Sequence, residues 1–436
     1  MIEVPDRTTP PRVSDFGRLV MPPLRDITLA NGLPLHVIDQ ESQEVCCLTC
    51  VWRGGLAEAP SRPVAQLMLN LLREGTRNSS GESIADRLEF NGARLVTSVD
   101  SHYSVVKLYM LNSKVADVLP LLPELFLEPV FPDAAFNTWQ EKLARNFEIS
   151  AEKVEFQASW AGNRLMMGEN HPLARVMTAS DIRALSVDEV KLWHARSFVP
   201  VVDASGDSSL SLYLSGCVTP ALIDMVDRSL GRMPVGRSAL QPFEIVPFVN
   251  STGVRKHIDM PGAMQSAVRM YMPGLSRSHP DYIKLRLLTV ALGGYFGSRL
   301  MSNIREDKGY TYGIGSYLLG YPEGSIIGIS SSTDNALVEP LIEESVKELK
   351  RLSSGDFTED EMARLRRYAM STLASSLDSA FEIMDYHIDG KIAFLPDNYF
   401  ERQVEDTMTL TSDELVRVAR EHMPVGDLSI VAAGGK

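Results

Sequence analysis

Four cysteines and eight histidines are the side chains in this sequence best suited to metal or thiol chemistry. Three of the cysteines stand in Cys46-Cys47-Leu48-Thr49-Cys50, where the C-x-x-C spacing raises metal or redox chemistry. Their setting, EVCCLTCVW, is an apolar β-prone run, and in a strand Cys47 and Cys50 point to opposite faces. Only Cys217 stands elsewhere, so no four-thiolate site can form, and buried structural cysteines are expected. The histidines, at 36, 102, 171, 194, 257, 279, 387 and 422, include no i, i+4 pair that would bring two imidazoles to one metal. HExxH, HxxEH, GxSxG, P-loop and GxGxxG motifs are all missing. Each histidine reads as a surface or core residue, and no metal is expected in this chain.

Such side chains need elements to position them. A length of 436 residues implies two or three domains at roughly 100–200 residues each. With 44% hydrophobic and 23% charged residues, the composition is that of a globular chain. The net charge of −13 argues against a nucleic-acid partner held by a basic face and against attachment to anionic lipid. No stretch approaches the ~20 apolar residues of a membrane span. Met1 to Gly17 is polar and Pro-rich, with no apolar signal core. The cysteine usage agrees with a reducing, cytoplasmic setting.

An internal repeat organises the chain. Residues 185–200 (LSVDEVKLWHARSFVP) and 410–424 (LTSDELVRVAREHMP) share the order Leu-Ser/Thr, Asp-Glu, Pro. Each carries a capping box, Ser186 with Glu189 and Thr411 with Glu414, and each leads to a short strand ending in Gly. Two copies offset by about 225 residues imply a duplicated domain. The first spans 1–230 and the second 248–436. The Pro- and Gly-rich 231–247 (GRMPVGRSALQPFEIVP) is the linker. The charge is shared almost equally between the halves.

Each half begins with strands and ends with helices. Asn31-Gly32 marks a tight hairpin within Asp26–Asp39, and Val45–Arg53 is a second apolar β run. Val64, Leu67, Met68, Leu71 and Leu72 form the stripe of an amphipathic helix. Strands are expected over Arg94–Met110 and helices over Asp133–Arg164. The second half repeats the order with a strand at Ala267–Met272, helices over Asp281–Lys308, and strands at Tyr310–Leu319 and Ser325–Ser331. Ser298 is expected to cap a helix through Leu300, Met301 and Ile304, stopped at Gly309. The fold class is therefore α+β, two homologous domains, each a mainly antiparallel sheet packed with helices.

Three segments carry a resemblance to a known family. GGLAEAPSRPVAQLMLNLLREGT (54–76) is similar to the segment of the insulinase/pitrilysin metallopeptidases, and their processing-peptidase-like members, that bears the inverted zinc motif His-x-x-Glu-His before a Gly-Thr. GENHPLAR (168–175), with 181–200, resembles the family's His-Pro-Leu segment and the helix after it. LGGYFGSRLMSNIREDKGYTYGIGS (292–316) resembles its C-terminal-domain signature. Counted back from Gly75-Thr76, the two zinc histidines fall on Gln66 and Asn70, and the glutamate on Leu69. Neutral amides compete poorly for zinc, and leucine cannot accept a proton from a metal-bound water. The family's third ligand falls near Asn146–Phe147, with Glu148 next to it. The motif is thus degenerate.

The signature's Arg and Tyr are kept, as Arg305 and Tyr312. In the family such a pair binds the peptide backbone and helps to hold the scissile carbonyl. Residues alone leave another reading open, with Arg305 pairing to Glu306 or Asp307 and Tyr312 packed at the start of the next strand. Gly92–Tyr103 resembles the family's edge strand, which accepts an extended peptide by strand addition. The resemblance implies a LuxS/processing-peptidase-like fold and the role of a zinc-free subunit, not catalytic alone, within a heterodimeric zinc metallopeptidase. A homologous partner would carry the zinc, and peptides would be the substrate. The alternative is a catalytically silent structural or peptide-binding core subunit.

Overall fold

The computed structural model describes Thr8 and residues 16–175 and 177–435, so most of the polar Met1–Gly17 stretch lies outside the described residues. Short runs on either side of the Asn31-Gly32 turn form β1 (Arg25–Thr28) and the more apolar β2 (Pro34–Asp39). They are followed by β3 (Val45–Arg53), helix α1 (Arg62–Leu71), α2 (Gly81–Phe90), β4 (Arg94–Val99) and β5 (Tyr103–Leu111). Long helices α3 (Asp133–Ala151) and α4 (Val154–Met167) come next, then α5 (Val187–Ser197), β6 (Leu210–Gly216) and α6 (Pro220–Ser229). The capping boxes expected at Ser186 and Thr411 are both formed.

The second half contains β7 (Arg255–Asp259), β8 (Gln265–Pro273), α7 (Tyr282–Thr289), β9 (Ile314–Tyr321) and β10 (Gly324–Asp334). It closes with α8 (Val338–Ser354), α9 (Glu359–Ser375), α10 (Ala380–Ile392), α11 (Tyr399–Thr409), α12 (Ser412–His422) and β11 (Ser429–Gly434).

The duplication is explicit in the sheets. The first has the order β1-β2-β6-β3-β5-β4 and the second β7-β11-β8-β10-β9. Without β1 the two are identical in connectivity and direction. β2 and β6 run parallel, as do β7 and β11, and every other neighbouring pair is antiparallel. One face of each sheet packs on helices of its own half. Leu48, Cys50 and Trp52 of β3 meet Leu67, Leu71 and Trp193, and Val268 and Met270 of β8 share a core with Leu285, Leu349 and Val418.

The opposite face is covered by a helix from the other half. Ala158 of α4 packs with Ala267, Val431 and Ala433 of the second sheet. Ile383, Met384 and Ile388 of α10 pack with Ile38, Val51 and Tyr213 of the first. This exchange buries both faces of β3 and β8, which is why both read as nearly unbroken apolar runs. Gly162 is what lets α4 lie flat on β8, because a Cβ there would come within 2.0 Å of the Tyr271 ring.

Two local expectations are corrected. The helices expected over Asp281–Lys308 are present, separated by a loop, but the second is not capped as expected. Gly293 leaves helical geometry, Tyr295–Ser298 forms a loop, and the chain resumes as a wide helix, Met301–Asp307, with an i→i−5 bond from Lys308 N–H to Asn303 O. Ser298 does not cap it. The next strand starts at Ile314 instead of Tyr310, because Gly309 takes a left-handed φ of +65° and turns the chain before pairing begins. Among the described residues, no helix is long and apolar enough to cross a membrane.

Candidate functional site

Helix α1 enters through Ser61 with Pro63 in its first turn and buries Val64, Leu67, Met68 and Leu71 in the first core. The 3.6-residue period then sets Gln66 and Asn70 one turn apart on a single half-buried face. Leu69, which the resemblance sets at the glutamate position, is 3% exposed and belongs to the hydrocarbon core. Glu148, next to the third ligand position, is already engaged. Arg183 Nη1 donates to its Oε1 at 2.6 Å and lowers its pKa, and Arg183 Nε bonds Glu141 at 2.9 Å. Two amides, a leucine and a paired carboxylate do not fit zinc.

The second region lies on the other half. Leu292, Leu300 and Ile304 anchor it in the second core. Arg299, 8% exposed, pairs with Glu361 at 2.7 Å, stacks on Phe357 at 4.3 Å and donates to Asp356 O. Asn303 reaches Glu348 at 2.7 Å and Glu344 at 3.2 Å. These contacts pin the wide helix to α8 and α9.

Arg305 is left without a carboxylate among the described residues. It pairs with neither Glu306 nor Asp307, and its guanidinium lies 4.8 Å from the Phe296 ring centroid. Tyr312 is 94% exposed, outside the strand, so it is not packed in the sheet. The turn that carries it is held to β10. Thr311 Oγ1 donates to Ser332 O at 2.6 Å, Ser331 Oγ to Gly313 O at 3.0 Å, and Thr333 Oγ1 to Tyr310 O at 2.5 Å. Beside Tyr312 is a recess of about 300 Å³ lined by Gln265, Arg269 and Ser330–Ser332. Arg305 and Tyr312 thus stand on either side of one short turn, with no hydrogen bond between them among the described residues.

The strand over Gly92–Tyr103 forms β4, the outer edge of its sheet, and β9 occupies the equivalent edge of the second. The histidines are structural in two instructive ways. His279, Asp281 and His422 form the one group among the described residues whose ligand atoms come within 4.8 Å of one another. Arg417, however, grips both Asp281 oxygens, at 2.5 and 2.9 Å, holding that carboxyl well below its usual range and taking the place a cation would need.

His102 was not distinguishable in the sequence. It is 1% exposed, with Nδ1 2.5 Å from Glu58 Oε1 and Nε2 2.8 Å from Glu323 Oε1. Burial works against its charged form, but ion pairing with Glu323 and Glu58 outweighs this and raises its pKa to about 9. Partners from one loop and one hairpin, the latter in the other half, leave no signal in spacing.

Comparison with known proteins bears on the fold. Residues 206–368 match the model of the peptidase M16 inactive domain. An uncharacterized zinc protease of Streptomyces coelicolor is 24% identical over 91% of this chain and 87% of its own length. The mitochondrial-processing peptidase subunit beta of Saccharomyces cerevisiae is 21% identical over 95% and 92%. The crystal structure of a peptidase M16 inactive domain from Pseudomonas fluorescens superposes with a TM-score of 0.83, at 22% identity, covering 95% of this chain and 98% of that one. Over residues 206–368 the chain matches the M16 inactive domain, and over nearly its whole length it is similar to M16, insulinase-like metallopeptidases, while Gln66, Leu69 and Asn70 stand where the zinc motif would be.

Proposed function

We propose that this chain is the zinc-free subunit of a two-chain metallopeptidase acting on peptides or unfolded segments. One observation carries the reading: helix α1 offers no zinc ligand at the motif positions, while the Arg305–Tyr312 turn keeps a guanidinium and a phenol that no neighbour among the described residues consumes. A scaffold has no need for an unpaired arginine beside an almost fully exposed tyrosine. Such N–H and O–H groups can donate to a peptide backbone and to the carbonyl oxygen as it gains charge, and donors fixed in advance do so with little reorganisation. A homologous partner would supply the zinc-activated water. The free cysteines agree with a reducing compartment such as the cytoplasm.

The test is to co-express the chain with a zinc-bearing relative and measure kcat/KM on an unfolded peptide. The complex is expected to cleave, the isolated chain not to, and R305A to lower kcat/KM about a hundredfold. Unchanged kcat/KM in R305A removes the assigned role. The loss of ligands equally favours a silent peptide-binding core subunit. Tight association with the relative and with peptide, but no turnover, would select that reading.

A further inference from the structure

We infer that Phe296 is a positioning residue for Arg305, holding its guanidinium face-on so that the N–H edge stays turned toward a bound peptide carbonyl; this rests on the peptide-binding reading above. The argument begins with what holds Arg305. Among the described residues no carboxylate pairs with it, and the Phe296 ring centroid lies 4.8 Å from its guanidinium carbon. An unrestrained arginine on a protein of net charge −13 has many carboxylates to visit. Stacking on an aromatic face keeps it from them without using any of its five N–H donors, which a carboxylate would use.

The loop is built to present that ring. Tyr295 stacks on Tyr368 at 5.0 Å, Tyr368 Oη bonds Gly294 O at 3.2 Å, and Ser298 N–H bonds Tyr295 O at 3.1 Å. Phe296 lies between these anchors and is still 61% exposed. Core packing therefore does not account for a large aromatic side chain here. Its free face adjoins the place where a peptide bonded to Arg305 would run, and offers that peptide an apolar wall.

The experiment measures binding of fluorescein-labelled β-casein, an unfolded polypeptide, to the full chain by anisotropy, with F296L, F296W and R305A alongside. Because Phe296 is mostly exposed, all three variants should melt with the wild type, and circular dichroism checks this. F296L keeps an apolar side chain but loses the ring face and is expected to weaken binding about two- to fivefold. F296W restores the face and is expected to bind like the wild type. R305A is expected to weaken binding about tenfold. The Arg305 Nε–H resonance, shifted by the ring in the wild type and F296W, should move toward its free value in F296L. If R305A weakens binding while F296L matches the wild type, the role given to Phe296 is wrong and the peptide-binding reading stands. If the wild type does not bind, or R305A binds equally well, both fall together.

Discussion

His102 Nε2, on the β4–β5 hairpin, lies 2.8 Å from Glu323 Oε1, on the β9–β10 hairpin, so one imidazole ties the edge hairpins of the two halves together. Glu58 holds its other nitrogen, and Phe243, from the segment between the sheets, covers the ring at 4.9 Å while Arg53 stacks on Phe243 at 4.0 Å.

This clamp makes stability depend on pH in the alkaline range. In an unfolded chain His102 titrates near pH 6.5, and in the fold near 9. Below about 6.5 both states hold the proton and the full contribution is present. As pH rises through 9 the folded chain loses it too, and the contribution is gone. The loss is at most about 3 kcal/mol. Denaturation midpoints should fall between pH 6.5 and 9.5 in the wild type, and the fall should be smaller in H102Q. At pH 7, H102A leaves two carboxylates facing a void and should cost about 3–5 kcal/mol.

The repeat was legible because both copies keep the same cap, helix and strand order, and that order builds two sheets of one topology. The exchange of α4 and α10 between halves was not legible, since an amphipathic helix does not name the sheet it covers. The β3 run did carry half of that information, being apolar on both faces. At the site, Gln66, Leu69 and Asn70 could be read as unfit for zinc chemistry by residue type once the resemblance had set the motif on them. The isolation of Arg305 could not, because Glu306 and Asp307 beside it are obvious local partners, and only the break at Gly293 and the Tyr295–Ser298 loop bring Phe296 within reach. The Gly309 turn ends the helix as expected but delays pairing to Ile314, which is what leaves Tyr312 outside the sheet.

Restoring ligands tests how far the zinc helix has drifted. Q66H/N70H places two imidazoles one turn apart on a half-buried face and is expected to bind zinc with low affinity in a chelator competition. Adding R183A releases Glu148 from its pair and should tighten binding about tenfold. No change with R183A would show that Glu148 is not the counterpart of the third ligand. L69E should destabilise the fold, because it puts a carboxylate in the core.

The contact between α4 and β8 gives a sharper packing test. Ala is a better helix former than Gly by about 1 kcal/mol, so G162A would stabilise an isolated helix. Here its methyl meets the buried Tyr271 ring at 2.0 Å, and overpacking should win, with a net loss of roughly 1–3 kcal/mol in denaturant unfolding. Y271L in the G162A background should recover part of it, since the smaller side chain vacates the space. A G162A variant as stable as the wild type would mean that α4 can lift from the sheet at little cost.

The cysteines should behave as core residues toward thiol reagents. Burial pushes the Cys46 thiol up to about 12 and Cys47 up to about 11, and Cys50 is raised as well. At pH 8 almost none of these is thiolate, and none is accessible, so both conditions for reaction fail together. Cys217 is only partly buried and is the one thiol open to reagent. Titration of the native chain with a disulfide reagent should therefore release no more than one equivalent quickly, and the unfolded chain all four. Fast reaction of two or more in the native state would mean that β3 opens far more readily than a central strand buried on both faces should.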